Sequence, residues 1–231
     1  PKLDLRNRTF WHAAYEGYQQ RGASATSIAL VPTPAQLAQV TDPTSLAIVQ
    51  QYQVPTSATG QLNTSAPSST RAYQTSFRVD QNLGSRDTFW GRYSRYVSTD
   101  QAPALSFIST NIPGFGAAAA SKPEQMTLAE THVFGASAVN EFRFGHGRND
   151  VGYTMDNTYP AGPRIAFSNG NDRLGIWEGY PQGRIQRTYQ FTDTVSVNRA
   201  RHNFKVGGEY YFLRSISFAR HRSRCFRRRG K

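Results

Sequence analysis

Apolar and polar side chains alternate along seven segments of the chain, a pattern typical of β-strands with one apolar and one polar face. The alternation is clearest where Tyr189, Phe191, Val195 and Val197 are separated by polar residues, and Arg95 interrupts the apolar side of another segment. The predicted strands cover residues 9–18, 73–83, 88–97, 127–134, 140–147, 188–198 and 203–213. The pattern predicts an all-β protein.

Short and long connections take turns between these segments. The short ones are residues 83–87, 135–139 and 199–202, and the long ones, rich in Gly, Pro, Ser and Asn, are residues 19–72, 98–126 and 148–187. Soluble sandwiches have no reason to alternate in this way. Outer-membrane barrels do, because their periplasmic turns are short and their extracellular loops long. The sequence therefore predicts an antiparallel transmembrane β-barrel.

Seven strands joined in this way begin and end on opposite sides of a membrane, so they do not close into an even-stranded barrel. We expect an incomplete barrel, about seven or eight strands of a larger one. Residues 23–31 are a possible eighth strand, but they run into Pro32 and fit better as a strand extension within the first long loop. Residues 35–40 and 45–52 of that loop are predicted to form short helices.

The composition is basic, but the excess is concentrated at one end. The 231 residues carry 27 Lys and Arg against 15 Asp and Glu, and eight of the basic residues follow Leu213. We therefore predict a partial barrel domain over residues 1–213 and a basic, Arg-rich tail over residues 214–231 that is disordered or translated out of frame. The chain also starts at Pro1 without an initiator Met or a signal peptide, which predicts a fragment.

Several chemical classes are excluded or disfavoured by the residues. No apolar run approaches the roughly 20 residues of a transmembrane helix. One cysteine, Cys225, excludes a disulfide framework and a Cys-based zinc site. The Gly-Phe-Gly-Ala-Ala-Ala run from Gly114 imitates a dinucleotide fingerprint but lacks its βαβ context, so we expect a flexible loop. The five histidines and the serines and acids form no catalytic motif, so we predict no enzyme, no metal and no cofactor.

Charged side chains on the polar faces are the candidate functional residues. In a barrel they point into the lumen, where water, a plug surface or a substrate can contact them. Aromatic and Arg side chains of the last long loop are further candidates, since such residues often anchor ligands. The candidates are Arg78, Asp80, Arg92, Glu141, Arg143, Lys205 and Glu209 on strands, and Trp177, Tyr180 and Arg184 in the loop. A structural lining role is the alternative for each.

A chain of local signatures, in order, resembles the TonB-dependent outer-membrane transporters, specifically their Oar-like branch. The motifs are Asn7-Arg-Thr-Phe-Trp, Tyr15-Glu-Gly, Val31-Pro-Thr-Pro-Ala-Gln, Arg78-Val-Asp-Gln-Asn-Leu, Phe89-Trp-Gly-Arg-Tyr, Thr131-His-Val-Phe, Val139-Asn-Glu-Phe-Arg-Phe-Gly, Gln190-Phe-Thr-Asp-Thr-Val and Arg201-His-Asn-Phe-Lys-Val-Gly-Gly-Glu. The resemblance implies a 22-stranded barrel with a plug, which takes up a bulky substrate when the TonB complex pulls on the plug. It also implies location in the outer membrane of a Gram-negative bacterium.

The implied partners are outer-membrane lipid, a plug domain, the TonB complex and an imported substrate whose identity the sequence leaves open. The plug and the TonB-contacting segment have no counterpart in these residues, which adds to the expectation of a fragment. Two alternatives remain. One is a small self-contained outer-membrane barrel or adhesin that uses residues 23–31 as its eighth strand. The other is a soluble basic β-protein that binds nucleic acid through the tail; we expect no nucleic acid, because the tail lacks interleaved aromatic residues.

Overall fold

A computed structural model describes residues 8–23, 25–102, 112, 114–115, 117–155, 164–167, 171–175 and 179–219. The strands are β1 (Thr9–Ala23), β2 (Ser27–Leu30), β3 (Gln61–Thr64), β4 (Pro67–Asn82), β5 (Asp87–Ala102), β6 (Ala117–Ser121), β7 (Glu124–Gly135), β8 (Ala138–Met155), β9 (Gln182–Arg199) and β10 (His202–Ala219). Two helices, α1 (Pro34–Leu37) and α2 (Pro43–Gln51), lie between β2 and β3. The expected all-β class is confirmed.

One antiparallel sheet holds most of the strands. Its order is β1, β4, β5, then β6 and β7 together, then β8, β9 and β10. Both β6 and β7 pair with β5 on one side and β8 on the other, so they form one strand interrupted at Lys122 and Pro123. Proline has no N–H for the ladder, which accounts for the interruption. Within the described residues, β1 and β10 each pair on one side only, so the sheet is an open, incomplete barrel wall.

All seven predicted strands are present, and each is longer than its pattern suggested. The strand predicted over residues 203–213 is β10, which continues to Ala219. Residues 214–219, assigned from sequence to the tail, therefore belong to the strand. Arg214 interrupts the apolar positions, but Ile216 and Phe218 resume them on the same face. Residues 220–231, with the rest of the predicted tail, lie outside the described part of the chain.

The first long loop contains its own small structure. Strand β2 pairs with β3 in a separate two-stranded sheet, so the use of residues 23–31 as an eighth barrel strand is wrong. The two predicted helices are present as α1 and α2. Thr33 caps α1 in a reciprocal capping box with Gln36, and Asp42 caps α2. No helix in the described residues is long and apolar enough to cross a membrane.

Strand β6 was not expected from the sequence. Residues 117–119 fall in the Gly-Ala run that we interpreted as a flexible loop, and that interpretation is wrong for them. Alanine has a low intrinsic preference for strands and gives no alternation of apolar and polar residues. The pairing with β5 and β8 imposes the strand here, because both neighbours extend beyond the end of β7.

The main buried apolar cluster lies in the loops and not in the sheet. It joins residues from all three long connections, with the Tyr52 and Phe115 rings 5.7 Å apart. Its buried members are Ala29, Val31, Tyr52, Val54, Ile112, Phe115 and Leu174. The three long loops are thus packed against one another at one end of the sheet, while the short turns lie at the other end.

The two faces of the sheet differ in chemistry. Residues directly opposite each other on neighbouring strands share a face, so the register assigns every strand position. One face carries an apolar band, interrupted by Glu130 and Asp193, that remains open to its surroundings, with Trp11 73% and Val206 72% exposed. The band includes Trp11, Tyr15, Phe77, Val79, Phe89, Tyr93, Leu128, Phe142, Phe144, Tyr189, Phe191, Val195, Phe204, Val206, Tyr210 and Phe212. We call this side the apolar face and the other the polar face.

Candidate functional site: the polar face of the sheet

Eight of the ten predicted site residues lie together on the polar face. The register places them there across β4, β5, β8, β9 and β10, at positions that alternate with the apolar band. They are Arg78, Asp80, Arg92, Glu141, Arg143, Lys205, Glu209 and Arg184. Arg184 was expected in the last loop but lies within β9. In an outer-membrane barrel this face lines the lumen.

A charged cluster sits on the hairpin formed by β4 and β5. The guanidinium of Arg78 donates two hydrogen bonds to Asp80, from Nε at 2.8 Å and from Nη2 at 2.6 Å. The same guanidinium lies over the Trp90 ring, 4.3 Å from its centroid. Arg78 is directly opposite Arg92, and Asp80 is directly opposite Trp90. Asp80 therefore offsets the charge of one arginine that faces another.

The other charged residues pair locally or with an amide. Glu141 and Arg143 form an ion pair along β8. Glu209 on β10 accepts a hydrogen bond from Nε2 of Gln190 on β9 at 2.7 Å. Both contacts are exposed to solvent, so each contributes little to folding stability. Their carboxylate and guanidinium groups remain accessible to a solute.

A groove of about 410 Å³ crosses the centre of the polar face, and none of the residues that line it is among the predicted site residues. Side chains of the polar face that line it are mainly uncharged amides and hydroxyls: Gln74, Ser94, Tyr96, Gln125, Asn149, Gln186, Thr188 and Gln190. The residues predicted from sequence were all charged residues or loop residues. The signal was present in the sequence, since Gln186, Thr188 and Gln190 recur at every second position.

Two glycines on β8 form part of the groove wall. Gly145 and Gly147 stand opposite Gln190 and Thr188 on β9. A Cβ at position 147 would lie 2.7 Å from Thr188 Oγ1, which is too close for an ordinary contact. The absence of a side chain there allows the Thr188 hydroxyl to lie against the β8 backbone and leaves the groove open. Amides and hydroxyls offer both donors and acceptors, so these side chains can bind polar groups without net charge. Residues whose positions belong to the apolar face also line the groove: Arg95, Glu124, His146 and Arg148.

Of the two remaining candidates, the structure describes one. Tyr180 is 7% exposed in the loop that leads into β9, so its ring is packed and does not face solvent. Burial raises the pKa of its hydroxyl. A contact between Tyr180 and a substrate stays a prediction that requires the loop to open. Trp177 lies outside the described residues.

No metal site is visible in the ranges that the structure describes. No group of three or more His, Cys, Asp and Glu side chains is close enough there to hold a metal ion. On the apolar side, Asp87 contacts His132, which joins the ends of β5 and β7 beside the short turns. On the polar face, the arrangement is suited to contacting a polar solute along its length.

Comparison with known proteins gave one match. The sequence model of a family described as "Outer membrane beta barrel domain" matches residues 37–227 of this chain. The matched region includes α2, the three hairpins with short turns and the groove, whereas β1 precedes it. Neither the curated proteins nor the solved structures contain a match.

Proposed function

The chain belongs to the outer membrane beta barrel domain family, and from this premise we propose that it forms part of a TonB-dependent receptor that takes up a bulky polar substrate. The barrel lies in the outer membrane of a Gram-negative bacterium. Its polar face would line the path of the substrate, and its apolar face contacts lipid. The observation that carries the proposal is the collection of charged and amide side chains on a single face.

The positions of the family-like motifs support the TonB-dependent assignment over a general barrel function. Six of these motifs form three pairs, and each pair flanks one short turn. Arg78-Val-Asp-Gln-Asn-Leu and Phe89-Trp-Gly-Arg-Tyr lie on the β4–β5 hairpin. The other two pairs lie on the β7–β8 and β9–β10 hairpins. The resemblance therefore coincides with repeating structural units of the barrel wall.

The chemistry of the polar face favours binding and conduction over catalysis. Outer-membrane barrels of this kind typically serve transport or structural functions. The groove offers amides and hydroxyls, and the Arg78–Asp80 and Glu141–Arg143 pairs lie next to it toward the short turns. Such a lining can exchange hydrogen bonds with a moving solute one at a time. We propose that a plug domain covers this face at rest and that TonB pulls the plug aside.

The TonB assignment can be tested without knowing the substrate. The purified periplasmic domain of TonB is immobilised and exposed to detergent extracts of outer membranes that contain the intact, epitope-tagged protein. We expect saturable retention of the tagged protein. An extract that contains a tagged porin of similar size serves as the control, because porins work without TonB.

Retention no greater than that of the porin would contradict TonB dependence and leave a passive barrel.

A second measurement tests whether the substrate passes along the groove. Replacement of Gly147 by Phe should fill the groove beside Thr188 and slow the passage of solute through the reconstituted protein once the plug is removed. The same change at Gly152, which lies on the apolar face of β8 with nothing within 4 Å of an added Cβ, should have a smaller effect.

A further inference from the structure

Five charged residues form a row across the apolar face. They occupy directly opposite positions on consecutive strands from β5 to β10: Arg95, Glu124, Arg148, Arg187 and Arg214. Opposite residues in such a row have their Cβ atoms about 5 Å apart. In the sequence, Arg95 is an exception to the apolar pattern. The register shows that it belongs to a row with four basic residues and one acidic residue.

Most of the positive charge in this row has no protein counterion. Arg148 contacts Asp150 at 3.1 Å and Glu124 at 3.8 Å. Within the described parts of the chain, Arg187 and Arg214 make no ion pair. Like charges directly opposite each other on neighbouring strands are destabilising. Three adjacent arginines on a membrane-facing surface therefore create a strong local preference for a bound anion.

The neighbouring rows indicate the depth of these arginines in the membrane. His146, Tyr189 and Phe212 form the next row toward the short turns, with ring centroids 4.7 Å and 6.2 Å apart. Tyrosine and other amphipathic rings concentrate where the apolar core of a bilayer meets the headgroups. The arginines lie on the loop side of this aromatic row. They are thus at headgroup level in the leaflet on the side of the long loops.

We propose that Arg148, Arg187 and Arg214 bind the phosphate groups of a phosphorylated lipid headgroup in the leaflet on the loop side. Guanidinium groups bind phosphate through paired hydrogen bonds, and three of them can surround one or two phosphates. The occupant is a lipid and not a soluble anion, because apolar side chains flank Arg187 and Arg214 on both sides. Ile185 and Ile216 lie toward the loops, in a row that Asp150 completes on β8, and the aromatic row lies toward the turns.

The test measures lipid binding to the intact protein in detergent by native mass spectrometry. The probes are lipid A with two phosphates, its monophosphoryl form and phosphatidylcholine. We expect affinity to fall in that order, with lipid A bound at least about tenfold more tightly than phosphatidylcholine. The double variant Arg187→Gln, Arg214→Gln should lose most of this difference. Arg199→Gln is the matched control, because it removes one arginine from the apolar face of β9 at the turn end.

Each remaining outcome also decides the question. Equal affinity for the three lipids, or an equal loss in the Arg199→Gln control, would overturn the proposal. Full displacement of lipid A by inorganic phosphate would show that the site binds a soluble anion and would also overturn the proposal. Removal of repelling charges should leave folding intact, which is checked by heat-modifiable gel mobility. If the double variant does not fold, Arg214→Gln alone tests the site, since Arg214 is exposed.

Discussion

Leu30 and Asp172, 142 positions apart in the sequence, are joined by two hydrogen bonds. The Leu30 N–H donates to Asp172 Oδ2 at 2.8 Å, and the Asp172 N–H donates to the Leu30 carbonyl at 2.8 Å. Leu30 ends β2 in the first long loop, and Asp172 lies in the last one. The two hydrogen bonds connect the two loops beside the buried loop cluster. Ala29 and Leu174, which belong to this cluster, are completely buried.

Asp172→Ala should loosen this contact. The Leu30 N–H loses its acceptor, and a hydrogen bond of this kind contributes about 1 kcal/mol to local stability. Amide hydrogen exchange of β2 should therefore become several-fold faster, while exchange in β9 remains unchanged. Asp172→Asn keeps a side-chain oxygen as acceptor and should retain most of the protection. Unchanged exchange in the alanine variant would show that the hydrogen bond does not hold the loops.

Gly207 and Gly208 are adjacent on β10 but differ in the space around them. A Cβ at position 207 would lie 2.6 Å from the Asp193 carbonyl oxygen, whereas nothing lies within 4 Å of one at position 208. We predict that Gly207→Ala lowers the free energy of unfolding by about 1–3 kcal/mol. Gly208→Ala should change it by less than about 0.5 kcal/mol. Urea unfolding in lipid vesicles measures both, and equal effects would contradict the register of β9 and β10.

Asp42 should make the stability of α2 depend on pH. The Ser45 N–H donates to its carboxylate at 2.7 Å, which lowers the pKa of Asp42 from its ordinary value of 3.8. Because the folded-state pKa is lowered, the stabilisation is present above pH 3.8 and is lost as the pH falls through the lowered pKa. Hydrogen exchange of the α2 amides should show this loss in the natural sequence, after correction for the intrinsic exchange rate. In Asp42→Asn the protection should not vary with pH over the same range.

Asp80 should stabilise the folded protein mainly because it offsets the repulsion between two arginines that face each other. Asp80→Ala leaves Arg78 directly opposite Arg92 without its carboxylate partner. The expected loss of stability is about 1 kcal/mol, and Arg92→Ala in the same background should recover part of it. A double-mutant cycle measured by urea unfolding gives the coupling. Strictly additive effects of the two substitutions would show that the repulsion is negligible.

The strands could be predicted because each pairs an apolar face with a polar one, a property of the local sequence. Strand β6 could not be predicted, because its four alanines show no alternation of apolar and polar residues. Only the pairing with the long neighbouring strands imposes the strand conformation there. The loop cluster was also beyond local reasoning. It joins Val31, Phe115 and Leu174, which are far apart in the chain, and no periodic pattern connects them.

The face that the candidate residues share could be predicted, while their contact with a substrate stays a prediction. The charged residues on the polar face followed from alternation, and the structure places eight of the ten candidates on that face. The groove was missed because its glutamines and threonines are ordinary polar strand residues whose convergence depends on register. Arg95 and Arg187 show the same limit on the apolar face, since each alone is an exception and only strand pairing aligns them in a row.

The most direct test of the account is the accessibility of alternate positions along β9 in intact outer membranes. Cys225 is first replaced by Ser, so that each introduced cysteine is the only thiol. Cysteines are then placed one at a time at positions 188–192 and treated with a water-soluble maleimide. The account predicts labelling of Thr188→Cys, Gln190→Cys and Thr192→Cys, which face the water-filled side, and protection of Tyr189→Cys and Phe191→Cys, which face lipid. Uniform labelling, or labelling of the opposite set, would contradict a membrane barrel with this register.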